Sequence, residues 1–347
     1  MFLLTVRDLR HRATRVVVVI CMGAVVFALL FVMTGLVEQF HLEPHDTVDA
    51  IGGDFWVVAA GISGPFTASS AIPADAAASV AADDSAPVVV SRSSLAFDGE
   101  VEEVVLLGHD ADSLGAPPTV EGRAATAPGE AVVDRSVGVD VGDRVVLAGA
   151  DFTVVGLTER TTVLAGVPLV FVLTSDAQQL TFRDDSLISG VLTSGPEPQV
   201  GAGLTVMSSD AVAEDVLGPL ENAIASVDLV RALLWLVAAL IIGAIVYLSA
   251  LERQRDFAVL KAVGAPTRTL MASLGLQAVL VAVTAVVIAI GLQALLVPLF
   301  PMAVVVPTRA FWQLPLFAVV MALVAGLAGM RRVATSDPVQ AFAGAGA

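Results

Sequence analysis

The stretch Ala232-Leu-Leu-Trp-Leu-Val-Ala-Ala-Leu-Ile-Ile-Gly-Ala-Ile-Val-Tyr-Leu-Ser-Ala-Leu251, closed by Glu252-Arg-Gln-Arg255, decides the architecture. Its uncharged length, at about 1.5 Å per helical residue, matches a hydrocarbon core about 30 Å thick. Three further uncharged stretches have the same reach: Val16–Val37, Thr269–Phe300 and Ala310–Met330. Such a length found four times separates membrane spans from buried core helices. The third helix is expected to end near Val297, because Pro298 and Pro301 break the pattern. The first is longer than the apolar part of a cleaved signal, and no A-x-A site follows it, so it stays attached.

Outward from the spans, charge divides the chain. Of 347 residues 56% are hydrophobic, and 34 Asp and Glu face 18 Lys and Arg. Residues 38–230 carry 30 acids and 6 bases, net −24, whereas the remainder carries 4 acids and 12 bases, net +8. Arg7, Arg10, Arg12 and Arg15 precede span one, Arg253, Arg255, Lys261 and Arg268 lie between spans two and three, and Arg331 and Arg332 follow span four. Short-loop bases of this kind stay in the cytoplasm, so both termini are expected inside and residues 38–230 outside. Trp235 and Trp312 then fall at the outer interface, where indoles settle. The expected segments are 1–15, a cytoplasmic amphipathic stretch; 16–37, span one; 38–230, an outer domain with stalks; 231–251, span two; 252–268, a cytoplasmic segment; 269–297, span three; 298–309, an outer loop; 310–330, span four; and 331–347, a cytoplasmic tail.

Within the outer segment, Asp54–Val58, Val88–Val90, Val101–Leu107, Arg144–Leu147, Phe152–Val155, Val167–Leu173 and Ile188–Leu192 are strand-type runs, and a helix is expected over Ala74–Ala82. Gly149-Ala-Asp151 separates two of them as a hairpin. The region has no self-similar period, so a mixed α+β domain fits better than a repeat array. From Val212 the positions Val216, Leu220, Ile224, Val227 and Val230 recur at helical spacing and run from Leu220 into span two without Gly or Pro. A continuous stalk follows, and span one is expected to extend to Leu42, where Pro44 interrupts it. Either extension transmits displacement or merely tethers the domain.

The cytoplasmic run Glu252-Arg-Gln-Arg-Asp-Phe-Ala-Val-Leu-Lys-Ala-Val-Gly-Ala-Pro-Thr-Arg268 sets Phe257, Leu260 and Val263 in an apolar stripe, lets Glu252 pair with Arg255, and stops at Gly264 before Pro266. Composition leaves two readings: a topology-fixing loop, or a docking helix for a groove on another protein. The residues themselves resemble the FtsX-like permease family, the membrane subunits of MacB-type ABC transporters, in which E-R-x-R-E-[FI]-x-[VT]-L-[KR]-A-[LIV]-G-A follows the second span. Here Glu252, Arg253, Arg255, Phe257, Val259, Leu260, Lys261, Ala262, Gly264 and Ala265 match, and Asp256 stands where Glu is usual. The basic ending Arg331-Arg332, the tail Asp337-Pro-Val-Gln-Ala341 and one large domain between spans one and two extend the resemblance over the whole topology.

The resemblance implies an α-helical membrane protein with four transmembrane helices (1+3) and an extracytoplasmic mixed α+β domain between helices 1 and 2, in a bacterial inner membrane. It implies an ABC transporter permease paired with a second permease subunit, identical or paralogous, among membrane lipid, with an adaptor outside in some assemblies. An ABC-type ATPase subunit would dock at Glu252, Arg253, Arg255, Asp256, Phe257, Leu260, Lys261, Gly264 and Arg268. Its ATP-driven closure would move the outer domain by mechanotransmission and export or extract a hydrophobic or envelope-derived substrate; the alternative output is activation of an extracytoplasmic cell-wall hydrolase. A phosphate-binding G-x-x-x-x-G-K-[ST] loop needs a lysine, and the chain's only one, Lys261, sits between Leu260 and Ala262, so ATP is expected on the partner and no cofactor on this chain.

Other chemistry finds little footing. Cys21 alone excludes intramolecular disulfides and thiolate-rich metal sites, and six scattered outer arginines make no nucleic-acid surface. His41-Leu-Glu-Pro-His45 lacks the H-E-x-x-H order, and Asp110, Asp112, Gly115 and Glu121 match calcium-loop spacing only with Leu114 at a ligand position. The pairs Asp83-Asp84, Glu102-Glu103 and Asp184-Asp185 are adjacent carboxylates that point apart, and His109 has no G-x-S-x-G partner, so no catalytic or metal residue is expected. Gln277, Thr284, Gln293 and Gln313 are the polar residues of the later spans, suited to interhelical hydrogen bonds, and the spans hold no charge of the kind carriers use.

Overall fold

The strands of the outer segment are apolar on both faces. In Val104-Val-Leu-Leu107 every side chain is buried; Val104 and Leu106 enter one cluster, Val105 and Leu107 another. Successive side chains of a strand point to opposite faces, so this sheet is covered on both. The computed structural model of the chain describes residues 13–80, 82, 84–111, 113–252, 267–300 and 303–335.

Its helices are α1 (Ala13–Ile51), α2 (Thr174–Thr181), α3 (Ser209–Leu217), α4 (Glu221–Glu252), α5 (Thr267–Leu296) and α6 (Ala310–Thr335). The strands are β1 (Phe55–Ala59), β2 (Ile72–Pro73), β3 (Asp84–Phe97), β4 (Glu100–His109), β5 (Glu121–Gly122), β6 (Glu130–Asp134), β7 (Arg144–Leu147), β8 (Ala150–Thr158), β9 (Thr162–Val163), β10 (Val167–Leu173), β11 (Leu187–Ile188), β12 (Gly190–Ser194) and β13 (Leu204–Ser208). They form a mixed sheet in the order β13-β1-β12-β3-β4-β10-β6-β8-β5; β7 joins β3 and β8, β9 joins β10, and β2 pairs β11 apart from the rest. At its centre β10 runs parallel to β4, Phe171 opposite Leu107, and antiparallel to β6.

The chain divides into two units, residues 39–224 and the remainder. In the outer unit one face of the sheet carries α2, whose Ala177 joins Leu106 and Val172; a Cβ on Gly108 would lie 2.5 Å from that of Ala177, so β4 has glycine where the helix comes close. The other face receives the end of α1 through Val48 and Ile51, and α3 through Val212, Ala213 and Val216, around Trp56 and Phe66. Ser208 caps α3, its hydroxyl accepting the Ala211 N–H at 3.2 Å.

The membrane unit is apolar all round its helices, as hydrocarbon surroundings require. Leu229, Leu233, Leu236 and Leu240 of α4 are exposed, while Phe27, Phe31, Ala238, Ala282, Ala285 and Ala318 form the interior. Among the described residues three helices are long and apolar enough to cross a membrane, Val17–Ile51, Ser209–Ala244 and Gly275–Leu299, with a shorter apolar helix over Ala310–Val324.

Pro44 corrects an expectation. It lacks the N–H that would bond the Phe40 carbonyl, yet α1 continues through it to Ile51. Beyond the proline, Thr47, Val48 and Ile51 are buried in the outer unit, so tertiary packing overrides the local cost. The helix expected over Ala74–Ala82 is a 3-10 segment, Ala74–Ser79. Val88–Val90 is the middle of the longer β3, which turns into β4 through Asp98-Gly99, both at positive φ. β6, α2 and β13 are additional to the sequence reading.

Candidate functional site

The docking run joins α4 to α5. Glu252 closes α4 and Arg268 lies in the first turn of α5. Arg253, Arg255, Asp256, Phe257, Leu260, Lys261 and Gly264 lie outside the described residues.

Within the membrane unit, small residues bring the helices together and aromatic pairs fix them. Phe31 meets Phe311 at 5.3 Å between ring centroids, and Trp235 stands edge-on to Phe317 at 3.9 Å. The outer loop before α6 lies against α1 at Gly35, where a Cβ would fall 2.8 Å from Val304 Cγ1 and 3.2 Å from Val306 Cα. Arg309, at the end of that loop, pairs with Glu38. A narrow groove between α1, α4 and α5 is lined by carbon, including Val19, Phe27, Ile241, Ile242 and Ala282. Thr284 departs from the interhelical role expected of it: its hydroxyl donates to Leu280 O of its own helix at 2.7 Å. Gln277 Oε1 is buried and has no hydrogen-bond partner among the described residues.

In the outer unit α1 and α3 attach through polar contacts as well as apolar ones. Glu43 is buried, and its Oε1 accepts the Gly166 N–H at 2.7 Å. The apolar run of α1 ends at Val37, so this carboxyl belongs to the outer portion of the helix. Burial pushes its pKa up, against smaller opposing pulls from Thr162 and the Gly166 and Ala165 amides. Four residues on, Thr47 Oγ1 donates to Thr162 O at 2.6 Å; between them Arg160 reaches Asp46 at 3.3 Å. On α3, Asp215 accepts from the Thr67 hydroxyl of the loop after β1.

Elsewhere the acids serve the fold. Asp134 is buried and accepts from Ser136 N at 3.0 Å, Thr161 N at 2.7 Å and Thr161 Oγ1 at 2.9 Å. Arg123 grips Glu130 with both guanidinium ends, and with the Thr126 and Ala127 amides holds its pKa down to about 2. His41 and His45 remain on α1, His45 Nδ1 facing the His41 carbonyl at 3.0 Å, while the Glu43 between them is engaged with Gly166. Of the calcium-loop spacing, Asp112 lies outside the described residues and Glu121 is ion-paired with Arg135. Burial pushes His109 down; its Nδ1 donates to Asp110 O at 2.9 Å, since a carbonyl only accepts. Among the described residues no group of three or more His, Cys, Asp or Glu is placed to hold a metal.

Apolar helices of spanning length, with a mixed-sheet domain inserted between the first and second of them, define a multi-span membrane protein carrying one large domain outside the apolar layer. Residues 229–338 match the model described as FtsX-like permease C-terminal. Two proteins of Mycobacterium tuberculosis align over 99% of this chain and 100% of their own length: "Uncharacterized ABC transporter permease Rv2563" at 41% identity and "Uncharacterized ABC transporter permease Rv0072" at 38%. The chain belongs to the FtsX-like ABC transporter permease family. The periplasmic region of MacB from Actinobacillus actinomycetemcomitans is similar at 12% identity and TM-score 0.33, covering 48% of this chain and 93% of that one. The extracellular domain of the noncanonic ABC-type transporter YknZ from Gram-positive bacteria is similar at 12% identity and TM-score 0.29, covering 36% and 74%.

Proposed function

We propose that this permease is the non-hydrolytic membrane subunit of an ABC transporter that turns ATP-driven closure of a separate ATPase into displacement of its outer domain. It exports or extracts a hydrophobic or envelope-derived substrate outside the bilayer, without a path between the spans. The observation that supports this most is the joint ending of two rods. Helix α1 runs unbroken from Ala13 to Ile51, and backbone helicity continues from α3 through Gly218-Pro219-Leu220 into α4. Both end in the apolar layer around Trp56. A helix has a fixed rise per residue and carries a displacement that a flexible linker would dissipate.

At the inner end the docking run supplies the grip, Phe257 and Leu260 as the ridge and the charges around them for register. The termini are cytoplasmic on the basic-loop argument. The test is to purify the full chain from membranes and identify what it retains. An ABC ATPase should accompany it, and replacing Phe257 and Leu260 together by Asp should release that ATPase while the outer unit stays folded. ATPase retention by that variant, or robust ATP hydrolysis by the chain alone, would refute the reading.

A further inference from the structure

We propose that Glu43 is the positioning residue through which α1 moves the central strand of the outer sheet; the inference rests on the transmission reading above. Glu43, Asp46 and Thr47 are three and four residues apart and share one face of α1. All three meet the short segment 160–166, which holds β9 and its turn into β10: Glu43 takes the Gly166 N–H at 2.7 Å, Thr47 donates to Thr162 O of β9 at 2.6 Å, and Asp46 pairs with Arg160 at 3.3 Å. They are not equivalent. The Asp46 and Arg160 side chains are 51% and 56% exposed, so their pair is screened, whereas Glu43 is 2% exposed.

The turn is shaped for a carboxylate. Leu164, Ala165 and Gly166 have φ of 54°, 70° and 101°, three consecutive left-handed residues, two of which bear side chains that resist that conformation. Successive N–H groups in such a turn converge on an anion. Gly166 is followed directly by Val167, the first residue of β10, whose Leu169, Val170, Phe171 and Val172 are buried. A pull on Glu43 therefore enters the strand that holds β4 and β6 together without crossing a flexible segment. A static joint would be met more cheaply by an apolar side chain, because burial costs the Glu43 carboxyl more than its hydrogen bonds to Thr162, Ala165 and Gly166 return. A hydrogen bond adds direction, which packing does not.

The test uses the full chain with the ATPase that co-purifies with it and reads hydrogen exchange over residues 160–166, with and without ATP. The wild type should show an ATP-dependent change there. Glu43→Gln, which keeps an oxygen for the Gly166 N–H, should retain that change. Glu43→Leu, which keeps the packing, should exchange about tenfold faster over 160–166 without ATP and lose the ATP-dependent change, with β10 still protected and the ATPase still bound. Thr47→Val, which cuts the neighbouring tie, should keep the response. An undiminished ATP response in Glu43→Leu overturns the proposal alone. So does a loss in Thr47→Val equal to that in Glu43→Leu, which also decides the matter if Glu43→Leu leaves β10 unprotected. No ATP response in the wild type overturns the transmission reading and this inference with it.

Discussion

The packing of the outer loop on α1 makes a quantitative prediction at Gly35. An added methyl there would sit 2.8 Å from Val304 Cγ1, 3.0 Å from Val306 Cγ2 and 3.2 Å from Val306 Cα. The two methyls can turn aside, but the Cα belongs to the backbone of a loop tied down by the Arg309–Glu38 pair, so either the loop or the helix must shift. Overpacking of this kind costs about 1–3 kcal/mol, and the helix preference of alanine over glycine returns about 0.5–1 kcal/mol. Gly35→Ala should therefore destabilise the membrane unit by about 1–2 kcal/mol. Gly243 of α4 and Gly291 of α5 have nothing within 4 Å of the same position, so Gly243→Ala and Gly291→Ala receive only the preference. Gly23 is intermediate, its new methyl 3.3 Å from Ala285 Cβ.

Thermal unfolding of the detergent-solubilised chain, followed by near-ultraviolet circular dichroism, gives the order directly, because Trp235 and Phe317 report the helix contacts. Gly35→Ala should melt lowest, Gly23→Ala next, and the two open-site variants at or above wild type, with about 5 °C between the extremes. A Gly35→Ala protein that melts with the open-site variants would refute this account of how the loop packs on α1.

Gly108→Ala should destabilise the outer unit by about 1–3 kcal/mol, since its Cβ would lie 2.5 Å from Ala177 Cβ and 3.2 Å from Thr174 Cα; chemical denaturation followed through Trp56 measures it. Glu130, held near pKa 2 against an ordinary 4.5, favours the folded state fully above pH 4.5 and loses that contribution as the pH falls toward 2. Glu130→Gln should therefore be less stable than wild type at pH 6 and indistinguishable from it near pH 2; a constant gap across that range would contradict the Arg123 pairing as its cause.

The spans were legible because a bilayer imposes one long rule: about twenty uncharged residues in succession. Short rules served the sheet in places. Arg144–Leu147 and Val167–Leu173 stand in the sequence as they stand in the fold; the hairpin expected at Gly149-Ala-Asp151 turns one residue earlier, at Ala148-Gly149, both at positive φ, and Ala150 and Asp151 already belong to β8. Asp98-Gly99 carries the same signal and joins the two longest strands, so the β3–β4 hairpin was readable from that dipeptide. What was not readable is long-range. Pro44 looks like a helix end until Val48 and Ile51 are seen buried beyond it, and Glu43 looks like a surface acid until Gly166 is found against it, 123 residues away. β13 escaped because its burial is partial along its length, which leaves no clean alternation to detect.

The two rods reach the same layer by different means, and the difference bears on how force would divide between them. Helix α3 enters through Val212, Ala213 and Val216, contacts whose energy depends on area and hardly on direction. Its polar ties flank β1: the Ser209 hydroxyl donates to Gly53 O at 2.7 Å and the Ser209 N–H to Asp54 O at 3.1 Å just before the strand, and Asp215 accepts from Thr67 in the loop after it. Helix α1 adds to its own apolar contacts a hydrogen bond that fixes both distance and angle, placed one residue before the central strand. A small axial slip of either helix would therefore break a directional bond, Ser209 to Gly53 on α3 or Glu43 to Gly166 on α1. On the transmission reading, α1 therefore acts on the sheet at its central strand β10 and α3 at β1, one strand in from the edge.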